Sequence, residues 1–146
     1  MTLAELSTQL QALQGSTVTA TDHSKQGVNL DVTITSNMIP EVARLMGEAK
    51  FALEAITGVD WLAEQQIEIV YDFTCYATGV RVAARTRVSR ETPEVASISA
   101  VHPGANWHER ESHDFFGITF TGHPGLIPLL LPEDADFHPL RKDYGT

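Results

Sequence analysis

The densest run of side chains able to do chemistry covers residues 108–114, His-Glu-Arg-Glu-Ser-His-Asp. Imidazoles and carboxylates at such close spacing could bind a divalent metal ion or transfer protons. A zinc-peptidase helix requires two histidines four residues apart, with a glutamate directly after the first. His108 and His113 are five residues apart, which places them about 140° apart around an ideal helix. The zinc-peptidase interpretation is therefore excluded.

Glu109 and His113 are four residues apart and would share one face of a helix. They could supply half of a metal site, which His123 or His138 could complete, and this gives the hypothesis of a small metal-dependent hydrolase. The competing interpretation is a helix whose charged side chains pair at (i, i+3) and (i, i+4) spacing. Spacing alone specifies neither ligand number nor geometry, so the paired helix is favoured and we expect no metal site.

The sequence contains no recognisable activated nucleophile. Cys75 falls on the apolar side of a predicted strand, where a thiol is normally unreactive, and Ser112 lacks the G-x-S-x-G context of a nucleophile elbow. Neither glycine-rich phosphate-binding motif occurs. Cys75 is the only cysteine, which excludes an internal disulfide and a cysteine-ligated iron–sulfur cluster held by this chain alone. We therefore expect no catalytic residues and no cofactor.

Hydrophobic periodicity predicts the elements that position these residues. Residues 3–13 carry leucines at helical spacing, whereas residues 28–35 and 67–88 largely alternate apolar and polar side chains, as half-buried strands do. The predicted fold class is α+β: a two-layer domain in the order helix, two strands, helix, three strands, with a mostly antiparallel or mixed sheet. A short helix and an extended proline-rich C-terminal tail follow. The predicted helices cover about 3–13, 38–50 and 104–116, and the predicted strands about 17–21, 28–35, 52–59, 67–75, 80–88, 95–101 and 118–121.

Size and charge limit the classes of protein to which the chain can belong. Its 146 residues suffice for one domain with a buried core, and a net charge of −9 would repel a nucleic-acid backbone. No apolar run approaches the roughly 20 residues needed to cross a bilayer, and residues 1–5 lack the features of a secretory signal. We expect a cytoplasmic domain without a nucleic-acid partner or a membrane span.

Four of the ten basic residues lie close together, at Arg81, Arg85, Arg87 and Arg90. On the predicted strand the first three point away from the apolar face. The favoured interpretation is a solvated strand face whose charges discourage edge pairing. The alternative is a docking surface for an acidic partner.

The character of the sequence changes after residue 92. We therefore divide the chain into a sheet domain, 1–92, and a C-terminal part, 93–146, which either completes the same structural domain or acts as a strap. Prolines at 124, 128, 132 and 139 forbid long helices there, and the leucines between them cannot fill a core of their own. The tail is predicted to lie across another surface, either this domain's or a partner's. A strap on a partner would allow truncation after Gly122 without loss of the sheet domain.

Residues 105–118 read Ala-Asn-Trp-His-Glu-Arg-Glu-Ser-His-Asp-Phe-Phe-Gly-Ile. This run resembles the E-R-E-x-x-D-x-[FY]-G-[IV] signature of the 30 kDa subunit, or C subunit, of respiratory complex I, the proton-pumping NADH:quinone oxidoreductase. The resemblance continues in the same order through His123-Pro124 and Leu131-Pro132-Glu133-Asp134 to Pro139-Leu140-Arg141-Lys142-Asp143-Tyr144. Upstream, Thr57-Gly58-Val59-Asp60 and the predicted hairpin at 73–88 match more weakly.

The resemblance implies a non-catalytic subunit that binds no cofactor and packs on the hydrogenase-like large subunit, with neighbouring iron–sulfur subunits, in the peripheral arm of the complex. It places the chain on the cytoplasmic side of the cell membrane, in a complex for electron transport and proton translocation. The isolated chain should have no activity, and Arg110→Ala should weaken assembly. The positions that the resemblance implies for the signature and the partner interface are Trp107, Glu109, Arg110, Glu111, Asp114, Phe116, Gly117, His123, Pro124, Pro132, Pro139, Leu140, Arg141, Lys142 and Asp143.

Two departures from the family pattern keep alternatives open. After His123-Pro124 the family commonly has an acidic residue, a leucine and two arginines, whereas this chain has Gly125-Leu126-Ile127-Pro128. The sequence also stops two residues after Tyr144, without the extension that many members carry. An equivalent subunit of a membrane-bound energy-converting nickel–iron hydrogenase or a formate hydrogenlyase is therefore an alternative, and the electron donor could be NADH, ferredoxin or formate.

Overall fold

The computed structural model describes residues 2–126, 131 and 137–144 of the chain. The helices of these ranges are α1 (Leu3–Gln11), α2 (His23–Gln26), α3 (Ile39–Glu48) and α4 (Ala105–Phe116). The strands are β1 (Thr17–Ala20), β2 (Leu30–Thr33), β3 (Ala52–Trp61), β4 (Gln66–Cys75), β5 (Val80–Ser89), β6 (Glu94–Ala96) and β7 (Thr119–Thr121). Short 3₁₀ turns at Ser36–Met38 and Leu62–Glu64 precede α3 and β4.

The main sheet has five strands in the order β1-β2-β5-β4-β3. The pairs β1–β2, β3–β4 and β4–β5 are antiparallel, whereas β2 and β5 run parallel. Parallel neighbours need a long crossover connection. Here α3 and the β3–β4 hairpin lie between β2 and β5 in sequence and provide it. β6 and β7 form a second, two-stranded parallel sheet. The predicted α+β fold with a mixed sheet is confirmed.

A hydrophobic core joins the helices to the sheets. α3 contributes a buried stripe that includes Ile39, Val42 and Met46, at the three- and four-residue spacing of one helix face. The same core cluster contains Val95 and Phe116, so residues on both sides of position 92 share it. No helix in the described ranges combines the length and the apolar character that a bilayer crossing requires.

The structure differs from the prediction in two short segments. Between the first two predicted strands, residues His23–Gln26 form the one-turn helix α2, because Asp22 caps its N-terminus and Gly27 ends it with φ 78°. The strand predicted over 95–101 ends at Ala96. Beyond it the chain turns, since the backbone amides of Val101 and His102 both donate to Ile98 O.

Candidate functional site

Helix α4 carries the centre of the signature and is unusually polar on its inward side. Trp107 is 60% exposed and Glu111 is exposed as well, whereas the buried residues of the helix include charged ones. Gly117 ends the helix with φ 78°, a left-handed conformation that glycine adopts without steric cost. The buried positions are Ala105, Glu109, Ser112, Asp114 and Phe116.

Glu109 ties α4 to the turn that follows β6. Its Oε1 accepts a hydrogen bond from Ser97 Oγ at 2.6 Å, and its Oε2 accepts one from the Ile98 amide at 3.0 Å. Burial raises the pKa of Glu109 above its usual value, while the bonds from Ser97 and Ile98, and the positive charge that His123 would carry if protonated, oppose the rise. The carboxylate holds the Ile98 amide in the turn that follows Ala96.

The middle of α4 packs closely on β3. Ser112 Oγ donates to Ile56 O at 3.2 Å, so the serine hydroxyl is engaged with backbone. The ring of Phe116 lies against Gly58, where an added Cβ would come within 2.6 Å of Phe116 Cδ2. Only glycine at position 58 therefore permits this approach.

The C-terminal end of α4 is capped by residues 137–144, which we call the terminal clip. The Leu140 amide donates to Phe115 O at 3.1 Å, and Arg141 Nε donates to Phe116 O at 2.8 Å. His138 Nδ1 lies 3.0 Å from Asp114 O, so this nitrogen carries a proton. A helix leaves its last carbonyls without internal partners, and the clip supplies the missing donors. We therefore now expect truncation after Gly122 to destabilise the domain.

The terminal clip contacts a buried ion pair at the ends of the main sheet's strands β3 and β5. Arg90 donates to both carboxylate oxygens of Asp60, at 2.8 and 3.0 Å, with side-chain exposures of 10% and 1%. The Lys142 amide donates to Asp60 Oδ2 at 2.8 Å, and Arg90 Nη2 also donates to Asp143 Oδ1 at 2.7 Å. Hydrogen bonds from Arg90 hold the pKa of Asp60 below its usual value. The structure thus places this part of the signature in contacts within the chain.

The outward side of α4 is different in character. The guanidinium carbon of Arg110 lies 5.1 Å from the ring centroid of Trp107, and Glu111 lies about one turn after Trp107. Beside them a groove of about 200 Å³ opens between α4, β3 and the clip, with Phe115 and the 55% exposed Leu140 in its lining. We call Trp107, Arg110, Glu111, Leu140 and this groove the α4 face.

The arginines of β5 pair with acids of the same chain. Arg85 binds Asp31 at 2.9 Å and Glu68 at 3.5 Å, and Arg87 also reaches Glu68 at 3.5 Å. Arg87 further lies 4.5 Å from the ring centroid of Trp61. These contacts favour a self-neutralised strand face over a docking surface for an acidic partner.

The residues considered for catalysis are engaged in separate structural contacts. His113 Nδ1 lies 2.8 Å from Ile118 O, and His123 Nε2 lies 3.2 Å from Asn106 O. Across residues 2–126, 131 and 137–144, no group of three or more His, Cys, Asp or Glu side chains is arranged to hold a metal ion. Cys75 is 8% exposed.

The remaining signature positions have varied surroundings. Asp114 Oδ2 accepts the Leu131 amide at 3.4 Å. Pro124 is exposed and Pro139 is half-buried. Pro132 and the aliphatic residues at 127, 129 and 130 lie outside the described residues.

The sequence did not indicate that Ser97, Gly58, Asp60 and Arg90 belong to this site. The weak upstream match over 57–60 and the position of Arg90 after the arginine run were the available signals. Neither showed that these residues meet α4 and the clip, because that contact joins segments distant in sequence.

Comparison with known proteins identifies the family. The family described as "Respiratory-chain NADH dehydrogenase, 30 Kd subunit" matches residues 32–146. The C subunit of the NADH-quinone oxidoreductase of Roseiflexus castenholzii is 43% identical over 120 residues, covering 79% of this chain and 69% of that protein. The C subunit of the F(420)H(2) dehydrogenase of Methanosarcina mazei is 35% identical over 128 residues, covering 83% and 81%.

Two solved structures have a fold similar to that of this chain. A chain in the structure of the membrane-bound sulfane sulfur reductase, an archaeal respiratory membrane complex, superposes with a TM-score of 0.81 at 26% identity, covering 96% of this chain and 84% of that one. The trypsin-resistant fragment (1–134) of Nqo5 gives a TM-score of 0.71 at 26% identity, covering 86% and 100%. The chain with the α4 signature therefore belongs to the 30 kDa subunit family of respiratory-chain NADH dehydrogenases.

Proposed function

We propose that this chain is a non-catalytic docking subunit in the peripheral arm of a membrane-associated respiratory complex, where it binds the hydrogenase-like large subunit. Its family membership supports the assignment to such a complex, since relatives are named as subunits of NADH-quinone oxidoreductase and F(420)H(2) dehydrogenase. We place it on the cytoplasmic side of the membrane. It supplies binding surface and no redox group.

The observation that carries the proposal is the division of α4 into two sides. Its inward carboxylates are used by the chain itself: Glu109 binds Ser97 and Ile98, and Asp114 accepts the Leu131 amide. Its outward side keeps a tryptophan 60% exposed next to an apolar groove. Tryptophan and arginine are the residue types that most often dominate binding energy at interfaces. We therefore assign the partner contact to the α4 face.

Paired variants of the tagged chain test this assignment. Trp107→Ala should weaken capture of the large subunit by about 30-fold or more, because truncating a central interface tryptophan typically costs about 2 kcal/mol or more. Tyr76→Ala is the matched control, since Tyr76 is 74% exposed in the β4–β5 turn and outside the α4 face. Captured subunits are quantified by mass spectrometry, and thermal unfolding shows that both variants are folded. Equal capture by the wild type and Trp107→Ala would contradict the proposal.

An equivalent subunit of a hydrogenase-type respiratory complex is the second candidate. The TM-score of 0.81 over 96% of this chain with a chain of the sulfane sulfur reductase complex favours it. The two candidates share the same docking role and differ in the electron donor of the parent complex. The same capture experiment separates them, because the co-purified subunits include either an NADH-oxidising module or another donor module.

A further inference from the structure

Glu109 is a buried carboxylate without a cationic partner among the described residues. Its side chain is 0% exposed, and the ion pairs found in residues 2–126, 131 and 137–144 join other acids to arginine. The two donors on its oxygens, the Ser97 hydroxyl and the Ile98 amide, are both neutral. An ionised carboxylate in such surroundings is costly, so the site favours the neutral acid.

The titratable groups that face Glu109 do not supply a fixed positive charge. From β4, Tyr71 is 1% exposed, and its hydroxyl has no hydrogen-bond partner in the described part of the chain. From the segment after β7, His123 Nδ1 accepts the Gly125 amide at 2.9 Å, which leaves the ring proton on Nε2, facing Asn106 O. This is the pattern of a neutral imidazole.

A pair of serine hydroxyls connects Glu109 to the surface. Ser97 Oγ lies 2.6 Å from Glu109 Oε1 and 2.9 Å from Ser99 Oγ, and both serines are partly exposed. With Glu109 ionised, Ser97 donates to the carboxylate and Ser99 donates to Ser97. With Glu109 protonated, the carboxyl donates to Ser97, whose own proton turns to Ser99. Hydroxyl rotation therefore satisfies both protonation states.

We propose that Glu109 is a proton-binding site of the folded domain, filled from solvent through Ser97 and Ser99, and that its protonation tightens the attachment of α4 to this turn. The step adds one proton to the carboxylate and changes its charge from −1 to 0. The raised pKa of Glu109 agrees with this geometry, since burial is its main cause. The folded state then holds a proton at pH values where the unfolded chain has lost it. The stabilisation is complete at pH values below the pKa of Glu109 in the unfolded chain. It is lost as the pH rises through the pKa of Glu109 in the folded state.

A pH titration of the full chain, followed by NMR of its ¹³C-labelled glutamate carboxyl carbons, tests the proposal on the folded protein. The signal absent from Glu109→Gln identifies Glu109. We expect its midpoint to lie above the ordinary glutamate value of about 4.3. A midpoint at or below that value would overturn the proposal.

Two variants test the role of the serine. Ser97→Ala should move the midpoint further up, because the ionised carboxylate loses a hydroxyl donor. Tyr71→Phe is the control and should leave the midpoint in place. A midpoint that shifts in Tyr71→Phe and stays unchanged in Ser97→Ala would contradict the contribution of the Ser97 hydroxyl, on which the proposal rests. These measurements use the isolated chain, so their outcome is independent of whether the α4 face binds a partner.

Discussion

Substitution of Gly117 by alanine would test how strongly the terminal clip holds the end of α4. Gly117 has φ 78°, and a left-handed conformation costs a residue with a Cβ about 1–2 kcal/mol. The new Cβ would also lie 2.8 Å from His138 Nε2 and 3.0 Å from Arg141 Nη2. Both side chains would have to move away.

That movement would break or lengthen two hydrogen bonds that cap the helix. They run from His138 Nδ1 to Asp114 O and from Arg141 Nε to Phe116 O. A typical hydrogen bond contributes about 0.5–1.5 kcal/mol, and one with a charged donor somewhat more. The loss of both bonds, added to the backbone cost, gives an expected reduction of about 2–5 kcal/mol in the free energy of unfolding for Gly117→Ala.

Gly79→Ala separates the two causes. Gly79 has φ 74°, and an added Cβ there would meet no heavy atom within 4 Å, so this variant should lose only the backbone part, about 1–2 kcal/mol. Urea unfolding measures both losses. Hydrogen exchange of the Leu140 amide, which donates to Phe115 O, should accelerate in Gly117→Ala and stay slow in Gly79→Ala. Equal losses in the two variants, with the Leu140 amide still protected, would refute the reasoning.

Two further predictions concern the sheet side of the same assembly. Gly58→Ala should reduce the free energy of unfolding by about 1–3 kcal/mol, the usual cost of overpacking, because its Cβ would lie 2.6 Å from the buried ring of Phe116; unchanged urea unfolding would contradict that contact. Asp60→Asn should destabilise the domain most at neutral pH. Arg90 lowers the pKa of Asp60 in the folded state, so its stabilisation is present above the unfolded pKa of about 3.9 and is lost as the pH falls through the folded one. In urea unfolding, the free energies of unfolding of the wild type and Asp60→Asn should therefore become equal as the pH is lowered. A difference between them that does not change with pH would count against the assigned role.

The regular elements could be predicted because their determinants are local. The alternation over 67–88 and the leucine spacing in residues 3–13 each specify one element without reference to the rest of the chain. The end of β6 could not be predicted in this way. Residues 97–101 have a composition that suits a strand, but beyond β7 the His123 amide donates to Phe120 O and no longer pairs with β6. The Ile98 amide is bound by Glu109, 11 residues away in sequence. Tertiary contact overrides local propensity there.

The candidate site was predictable as a set of residues and not as an arrangement. The signature identified α4, and its charge suggested pairing along the helix, whereas Glu109 binds outside the helix. Asp60 and Arg90 meet across 30 residues, and Asp60 meets the Lys142 amide across 82. Spacing carries no information about contacts of that range. The prediction of the tail left open whether it lies on this domain or on a partner, and residues 137–144 lie on this domain.

The division of the α4 signature has a consequence for how variants of such a chain should behave. A buried signature residue such as Glu109 supports the fold, so its loss lowers both stability and assembly, because the α4 face is presented only by a folded helix. Trp107 is 60% exposed and packs on Arg110, so under the proposed function its loss should lower assembly while the unfolding transition stays in place. A loss of assembly is therefore informative about the partner only when the stability of the isolated chain has been measured for the same variant. Matching residues in a signature locate the helix, and burial decides which of them can reach another protein.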